Sequence, residues 1–243
     1  NYTVTLTLSG GAEPIIEERG FQRNHYEWEG QKLGLDDVVI PPFTPLVADA
    51  AKQTVDCVLR QHRHGAAGLW EQVISREVQL LAAPVRLEAT IGGKTVMIEG
   101  DAPRFTERKD TRVAGTADWA AGTLTGSTSF DYDYDGFMQL ALRLDQTDTE
   151  VERLQLVIPM NASEAWLIHP VTTELRHHYA GRLPAGDGKV WDSNSVTGRI
   201  AGHFVPYMYL GGPERGICFA ADNDRDWRRG KDVPMMEIDR NGK

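Results

Sequence analysis

A chain of 243 residues, 41% apolar and 25% charged, carries enough core-forming side chains for a globular protein and is excluded from the disordered class. Its formal charge of −9 leaves no basic face to neutralise phosphates, which argues against nucleic acid as a partner. No apolar run approaches the roughly 18–20 residues of a membrane span, and two cysteines, Cys57 and Cys218, specify no disulfide framework.

The chain opens on Tyr2–Leu8, where Thr alternates with Val and Leu in the period of a strand with one polar face. Gly20 to Asp37 mixes aromatic and charged residues and reads as a loop or irregular strand. Pro41-Pro42-Phe43-Thr44-Pro45 cannot be central strand or helix, because three prolines remove backbone donors; an extended ribbon across an apolar surface is expected. Thr54 to Arg60 resumes strand character, and Gly65-Ala66-Ala67-Gly68 breaks it. Leu69–Ser75 reads as a short helical turn and Val78–Thr90 as strand. Gly92-Gly93 predicts a hairpin between Val85–Ile91 and Thr95–Ile98. Further strands are expected at Arg112–Trp119, Leu124–Tyr132, Phe137–Asp145, Arg153–Pro159 and Ala165–Ile168, with weaker ones at Leu175–Tyr179, Val190–Trp191 and Arg199–Gly202. Residues 202–227 spell two apolar strands, Phe204–Leu210 and Gly216–Ala221, around a Gly211-Gly212-Pro213 turn. The second strand lands on Asp222, Asn223, Asp224 and Trp227: either sugar-binding groups at a hairpin exit or a plain polar loop. Strands every 8–12 residues and no capped helix of twelve or more predict an all-β fold. The expected architecture is a large antiparallel β-sandwich of galactose-mutarotase or carbohydrate-binding type, with few short helices.

Asp131-Tyr132-Asp133-Tyr134-Asp135-Gly136 has the D-x-D-x-D-G opening of a calcium loop. The twelfth position, where such a loop needs a bidentate carboxylate, is Leu142, so Asp131, Asp133 and Asp135 are weak ligands at best. A hairpin turning at Asp135-Gly136 is the expected alternative. His62 and His64 share a strand face, a weak metal signal set against core-satisfied histidines, and His177-His178 would point to opposite faces. Nucleophile elbows, P-loops and dinucleotide fingerprints do not occur, and no complete catalytic constellation or cofactor site is recognisable. Sugar rings stack on exposed indoles while carboxylates and amides take the hydroxyls. Of the six tryptophans, Trp70 and Trp166 read as core. Trp191 with Asp192, Tyr207, and Asp222, Asn223, Asp224 with Trp227 are the carbohydrate-binding candidates.

These stretches, in their order and spacing, resemble the β-sandwich that precedes the catalytic barrel in glycoside hydrolase family 123 and its relatives. The resemblance runs through Leu33-Gly-Leu-Asp-Asp-Val-Val-Ile-Pro-Pro-Phe-Thr-Pro-Leu46, Gly68-Leu69-Trp70 and Leu80-Leu81-Ala82-Ala83-Pro84-Val85. It continues through Tyr134-Asp135-Gly136-Phe137, Leu156-Val157-Ile158-Pro159 and Val190-Trp191-Asp192-Ser193. It ends in Phe204-Val205-Pro206-Tyr207, Leu210-Gly211, Glu214-Arg215-Gly216 and Ala221-Asp222-Asn223-Asp224 before Trp227. Two positions depart from the pattern: Gly212-Pro213 follows Gly211 where relatives more often have Asp, and Tyr209 stands where they have Trp.

What the resemblance implies is a sandwich packed against a (β/α)8 barrel lying later in a longer protein. Characterised members remove terminal N-acetylgalactosamine from β-linked glycans by substrate assistance, with an Asp-Glu pair in the barrel. That pair has no counterpart in this chain. The missing initiator Met, the lack of a signal peptide and the turn-like Asp239–Lys243 read as marks of an excised fragment. On this reading residues 1–32 are a lead-in or the tail of a preceding domain, and 33–230 are the sandwich. Residues 231–243 then begin a connection to the C-terminal catalytic domain, and the parent is exported to the periplasm or the exterior of a bacterial cell. Three functions compete: an accessory domain of a glycoside hydrolase, inert alone, whose partners are its own catalytic domain and glycan; a stand-alone carbohydrate-binding module; and a sandwich-fold sugar lyase or epimerase.

Overall fold

The computed structural model describes residues 1–32, 34, 36–171, 179–194, 205–227 and 233–241. Arg199–Gly202, Phe204, His177-His178 and all of Leu175–Tyr179 but its last residue lie outside the described residues. The chain divides into two compact units, Asn1–Val38 and Val39–Lys243. The first is a hairpin of β1 (Tyr2–Leu8) and β2 (Ile15–Phe21), in register from Tyr2↔Phe21 to Leu8↔Ile15. The second strand forms because Ile15 and Phe21 fall opposite Leu8 and Tyr2, and the Tyr2 and Phe21 rings stack with centroids 5.4 Å apart.

In the second unit β3 (Val47–Asp49), β4 (Thr54–Cys57), β5 (Arg60–His64), β6 (Trp70–Ser75) and β7 (Val78–Gln79) form an antiparallel meander. The helical turn expected at Leu69–Ser75 is therefore strand, and the only helical piece among the described residues is the 3-10 turn Ala66–Gly68 just before it. β6 is strand because partners on both sides, β5 and β7, take its backbone groups, which a single helical turn could not match. β8 (Arg86–Ile91) and β9 (Lys94–Met97) pair across Gly92-Gly93, both at positive φ, which is the two-residue hairpin the sequence predicts.

Facing the meander is a second sheet. β10 (Glu99–Gly100) and β11 (Arg104–Arg108) both pair with β12 (Arg112–Ala121), followed by β13 (Leu124–Asp133) and the edge strand β14 (Met138–Leu144). β15 (Arg153–Val157) returns to pair with β8. β16 (Leu167–Val171) pairs with the short β17 (Gly181–Arg182), β18 (Gly188–Asp192) stands apart, and β16 also receives the hairpin β19 (Tyr207–Gly211) and β20 (Gly216–Ala220). β21 (Glu237–Arg240) pairs with β18. The architecture is the expected all-β antiparallel sandwich.

Three apolar clusters fill it. The largest joins Leu69, Val73, Leu80 and Leu87 to Trp119 and Leu124, so it lies where the meander and the β8 sheet meet the β10–β14 sheet. The second joins Leu46, Val55 and Cys57 to Val113, Phe130 and Tyr132. The proline-rich ribbon ends here, with Leu46 buried and its amide donating to the Asp110 carbonyl at 2.8 Å. The third cluster holds Ile168, Leu183, Trp191 and Val205. Strict alternation of buried and outward residues along β12 and β13 is what lets one face fill the core. At Gly115 the Phe130 ring lies so close to the backbone that any β-carbon would overlap it.

The second cluster contains a polar chain. His64 Nδ1 sits 2.7 Å from the Gly68 carbonyl oxygen, and its Nε2 sits 2.9 Å from the Tyr132 hydroxyl. A carbonyl only accepts, so Nδ1 carries the hydrogen and Nε2 must accept from the Tyr132 hydroxyl. The same hydroxyl accepts from Trp70 Nε1–H at 2.7 Å. Each polar atom of this relay thus has a partner of the right kind, with Tyr132 fully buried and His64 only 2% exposed. Burial pushes the Tyr132 phenol well above its ordinary pKa, so it stays a hydroxyl.

Tyr132→Phe keeps the ring but leaves the Trp70 N–H and the His64 acceptor without their partner. It is expected to cost about 2 kcal/mol, read as a lower urea midpoint at an unchanged m-value.

Candidate functional site

Of the candidates from the sequence, Tyr207, Asp222, Asn223, Asp224 and Trp227 fall at one end of the β19–β20 hairpin. Strand alternation sends Tyr207 and Tyr209 to one face, and Met208 and Leu210 to the other, where they pack against the third cluster. Across the ladder His169 and Cys218 lie opposite Tyr209, so the outward face carries His169, Tyr207, Tyr209 and Cys218. The His169 and Tyr207 rings meet edge to face with centroids 6.0 Å apart. Tyr209 donates its hydroxyl to the Gly212 carbonyl at 2.5 Å, which ties the ring to the turn. A hydrogen bond with the Cys218 thiol, and then burial, raise the Tyr207 phenol above its ordinary pKa; burial does the same at Tyr209. Cys218 is exposed and free, and Cys57 is buried and free, so the two do not bridge and only one is a core thiol.

At the hairpin's open end the Ala221 amide donates to the Pro206 carbonyl at 2.8 Å. Asn223 Oδ1 then accepts from the Arg225 amide at 3.0 Å, and the Trp227 amide donates to the Asp224 carbonyl at 3.2 Å. These short-range bonds fold Asp222–Trp227 into a compact loop whose residues are all exposed. The Trp227 indole is 36% exposed and meets Phe219 edge to face, centroids 5.9 Å apart. Phe219 lies opposite Met208 on β20, so Trp227 is on the core-facing side of the hairpin and Tyr207 on the outward side. They share an end of the hairpin without sharing a face.

Trp191 is not at this surface. It points into the third cluster beside Ile168, Leu183 and Val205 and is 5% exposed, so its indole offers no face for a sugar to stack on. Asp192 lies next to it on β18, with Oδ1 accepting from the Asn194 amide at 2.9 Å and its carboxylate 3.1 Å from Lys189 Nζ. Ser193 Oγ accepts from the Met235 amide at 3.0 Å, so this segment ties β18 to the approach of β21. The sugar-friendly composition of 191–194 is spent on holding two strands together.

The three aspartates of the calcium-like motif do not converge. Asp131 lies on the outward face of β13 in a bidentate pair with Arg112, whose other nitrogen is 3.2 Å from Glu107. Asp133 and Asp135 shape the hairpin turn, accepting from the amides of Tyr134 and Phe137, each at 2.7 Å. The Gly136 amide donates to the Asp133 carbonyl at 2.8 Å and Gly136 sits at φ +84°, the turn-plus-bulge geometry of a hairpin. Among the described residues, no three His, Cys, Asp or Glu side chains meet as metal ligands would.

His62 and His64 do share a face, but it is the core face: His62 stacks near Trp70 and Tyr132, and His64 lies 4.1 Å from the Phe130 centroid. The His62–His64–Tyr132 group therefore converges where no substrate can reach; the exposed His–Tyr contact is that of His169 with Tyr207. A shallow depression of about 300 Å³ lies on the outward face of β11–β14, lined by Thr106, Thr116, Ser129, Gln139 and Asp131. It presents hydroxyls, one amide and a single carboxylate already bonded to Arg112, whereas glycoside hydrolysis uses two carboxylates. Among the described residues no helix is long and apolar enough to cross a membrane.

A family model described as glycoside hydrolase 123, third domain, matches residues 49–170 of this all-β chain, half of its length, and the chain belongs to that family. The match covers the meander, the facing sheet and β15, and it stops within β16. No curated protein and no solved structure matches the chain. The sequence reading missed His169 and Tyr209 beside Tyr207; stepping by two from Tyr207 would have found the second, but His169 needed the strand pairing.

Two substitutions separate the buried indole from the exposed one. Trp191→Ala is expected to cost about 3–5 kcal/mol in urea unfolding, while Trp227→Ala costs less than about 1 kcal/mol.

Proposed function

We propose that this chain is a non-catalytic β-sandwich domain of a glycoside hydrolase, supporting a catalytic domain that lies elsewhere in a longer protein. The observation that carries the reading is the family match over 49–170, which falls on a sandwich whose interior is filled by apolar and aromatic side chains. One group of histidines and a tyrosine, His62, His64 and Tyr132, is sealed in that interior. On this reading the hairpin Asn1–Val38 belongs to the tail of a preceding domain, and the parent acts on β-linked N-acetylgalactosaminides outside the bacterial cytoplasm.

The domain lends its exposed end to the glycan. Tyr207 beside His169 on one face, and Trp227 propped on Phe219 with Asp222 and Asp224 nearby on the other, supply stacking surfaces and hydroxyl acceptors at one edge. A carbohydrate-binding module without a catalytic partner is the second reading, favoured by the same partly exposed Trp227.

The chain alone is expected to release no aryl alcohol from an aryl β-N-acetylgalactosaminide; hydrolysis abolished by Asp224→Ala would overturn the non-catalytic reading. Glycan titration followed by tryptophan fluorescence is expected to show binding weakened at least fivefold by Trp227→Ala. A broad screen with no binding at millimolar glycan would remove the glycan-contacting role.

A further inference from the structure

Two imidazoles two residues apart on one strand are buried together between two sheets, and both must remain uncharged there. The groups facing them are few. From β4 comes the Cys57 thiol, from β5 the Arg60 guanidinium, from β6 the Trp70 indole and from β13 the Tyr132 phenol. Arg63 and Glu71, the other charged groups of β5 and β6 nearby, pair with each other at 3.0 Å and are partly exposed. No carboxylate is among the groups whose charge reaches either ring, and the nearest charge acting on His62 is the positive Arg60.

The relay fixes what a proton would do. A hydrogen added at His64 Nε2 takes the place that the Tyr132 hydroxyl hydrogen occupies, so the hydroxyl must turn away. The Tyr132 oxygen then receives N–H groups from both Trp70 and His64, and its own hydrogen has no acceptor in a fully buried place. The added charge has no counterion. At His62 the consequence is similar, because its Nδ1 is buried without a partner and its ring lies 5.1 Å from Tyr132.

We propose that the His62–His64–Tyr132–Trp70 cluster is an acid-release clasp that holds the β3–β7 meander against the β10–β14 sheet only while both imidazoles are neutral. Burial, with Arg60 and His64 adding to it, lowers the His62 pKa to about 3; burial lowers that of His64 to about 4, opposed by its bond to Gly68. Both folded values lie below the ordinary 6.5, so the unfolded chain binds protons first. The stability these groups confer is complete above pH 6.5 and is lost as the pH falls from there, down to about 4 for His64 and about 3 for His62. A clasp of this kind suits a protein that meets both neutral and acidic surroundings.

Two measurements on the chain test it. Imidazole ¹⁵N spectra at pH 7 are expected to show His64 neutral with its hydrogen on Nδ1; an Nε2–H tautomer or an imidazolium would overturn the relay. Urea unfolding is expected to show the unfolding constant rising roughly two to three orders of magnitude between pH 7 and pH 5. In His64→Gln, with His62 the one histidine of the cluster left, the rise is expected to fall to about twentyfold. A rise below tenfold in the unsubstituted chain would overturn the clasp, and the spectra decide the matter should the variant not fold.

Discussion

The alignment of the two facing sheets rests on one neutral imidazole. His64 stands between the Gly68 carbonyl and the Tyr132 hydroxyl, and with Trp70 it closes a chain of three hydrogen bonds inside an otherwise apolar layer. Around it Phe130, Val55, Cys57 and Val113 pack without polar demands. An apolar core of this size would hold the sheets together by area alone, but area is indifferent to register. The relay is not: it is satisfied only when β5, β6 and β13 stand in one alignment, because each donor meets one acceptor. Gly115 contributes to the same alignment by letting the Phe130 ring lie on the backbone of β12.

That arrangement also bears on function. A sandwich used as an enzyme keeps a concave face and places its acids, bases and phenols there. This one has His62, His64 and Tyr132 in the interior, Asp131 in an ion pair with Arg112, and Asp133 and Asp135 in a turn. What it leaves outside is the end of the β19–β20 hairpin, where aromatic rings on two faces flank a short acidic loop. On the proposed reading that edge touches a glycan whose cleavage takes place elsewhere. Membership of a glycoside hydrolase family and a filled interior fit together if the chemistry belongs to another domain.

Much of the fold was legible in the residues. Gly92-Gly93 announced a hairpin because only glycine adopts both left-handed positions of a two-residue turn at little cost, and the alternation along 112–121 and 124–133 announced two half-buried strands. Local pattern failed where a distant partner decided the outcome. Leu69–Ser75 looks helical by itself and is strand because β5 and β7 flank it; Gly20 and Phe21, where the irregular stretch was expected to begin, end a strand because β1 lies opposite. The site was less legible still. Trp191-Asp192-Ser193-Asn194 has the composition of a sugar site, but composition does not say which way a ring points, and this one points into the core. The histidines carried the opposite lesson: their spacing showed that they share a face, and only the packing showed that the face is buried.

The central claim is that catalysis in the parent protein lies outside this sandwich. Its most direct test is to express the product of the complete gene, assay it on an aryl β-N-acetylgalactosaminide, and replace candidate carboxylates one at a time within and outside residues 39–243. The account predicts that activity is abolished only by substitutions outside this span, while Asp131→Asn, Asp192→Asn and Asp224→Asn retain most of it. Full loss of turnover from a single carboxylate within the sandwich, in a protein that still folds, would contradict it.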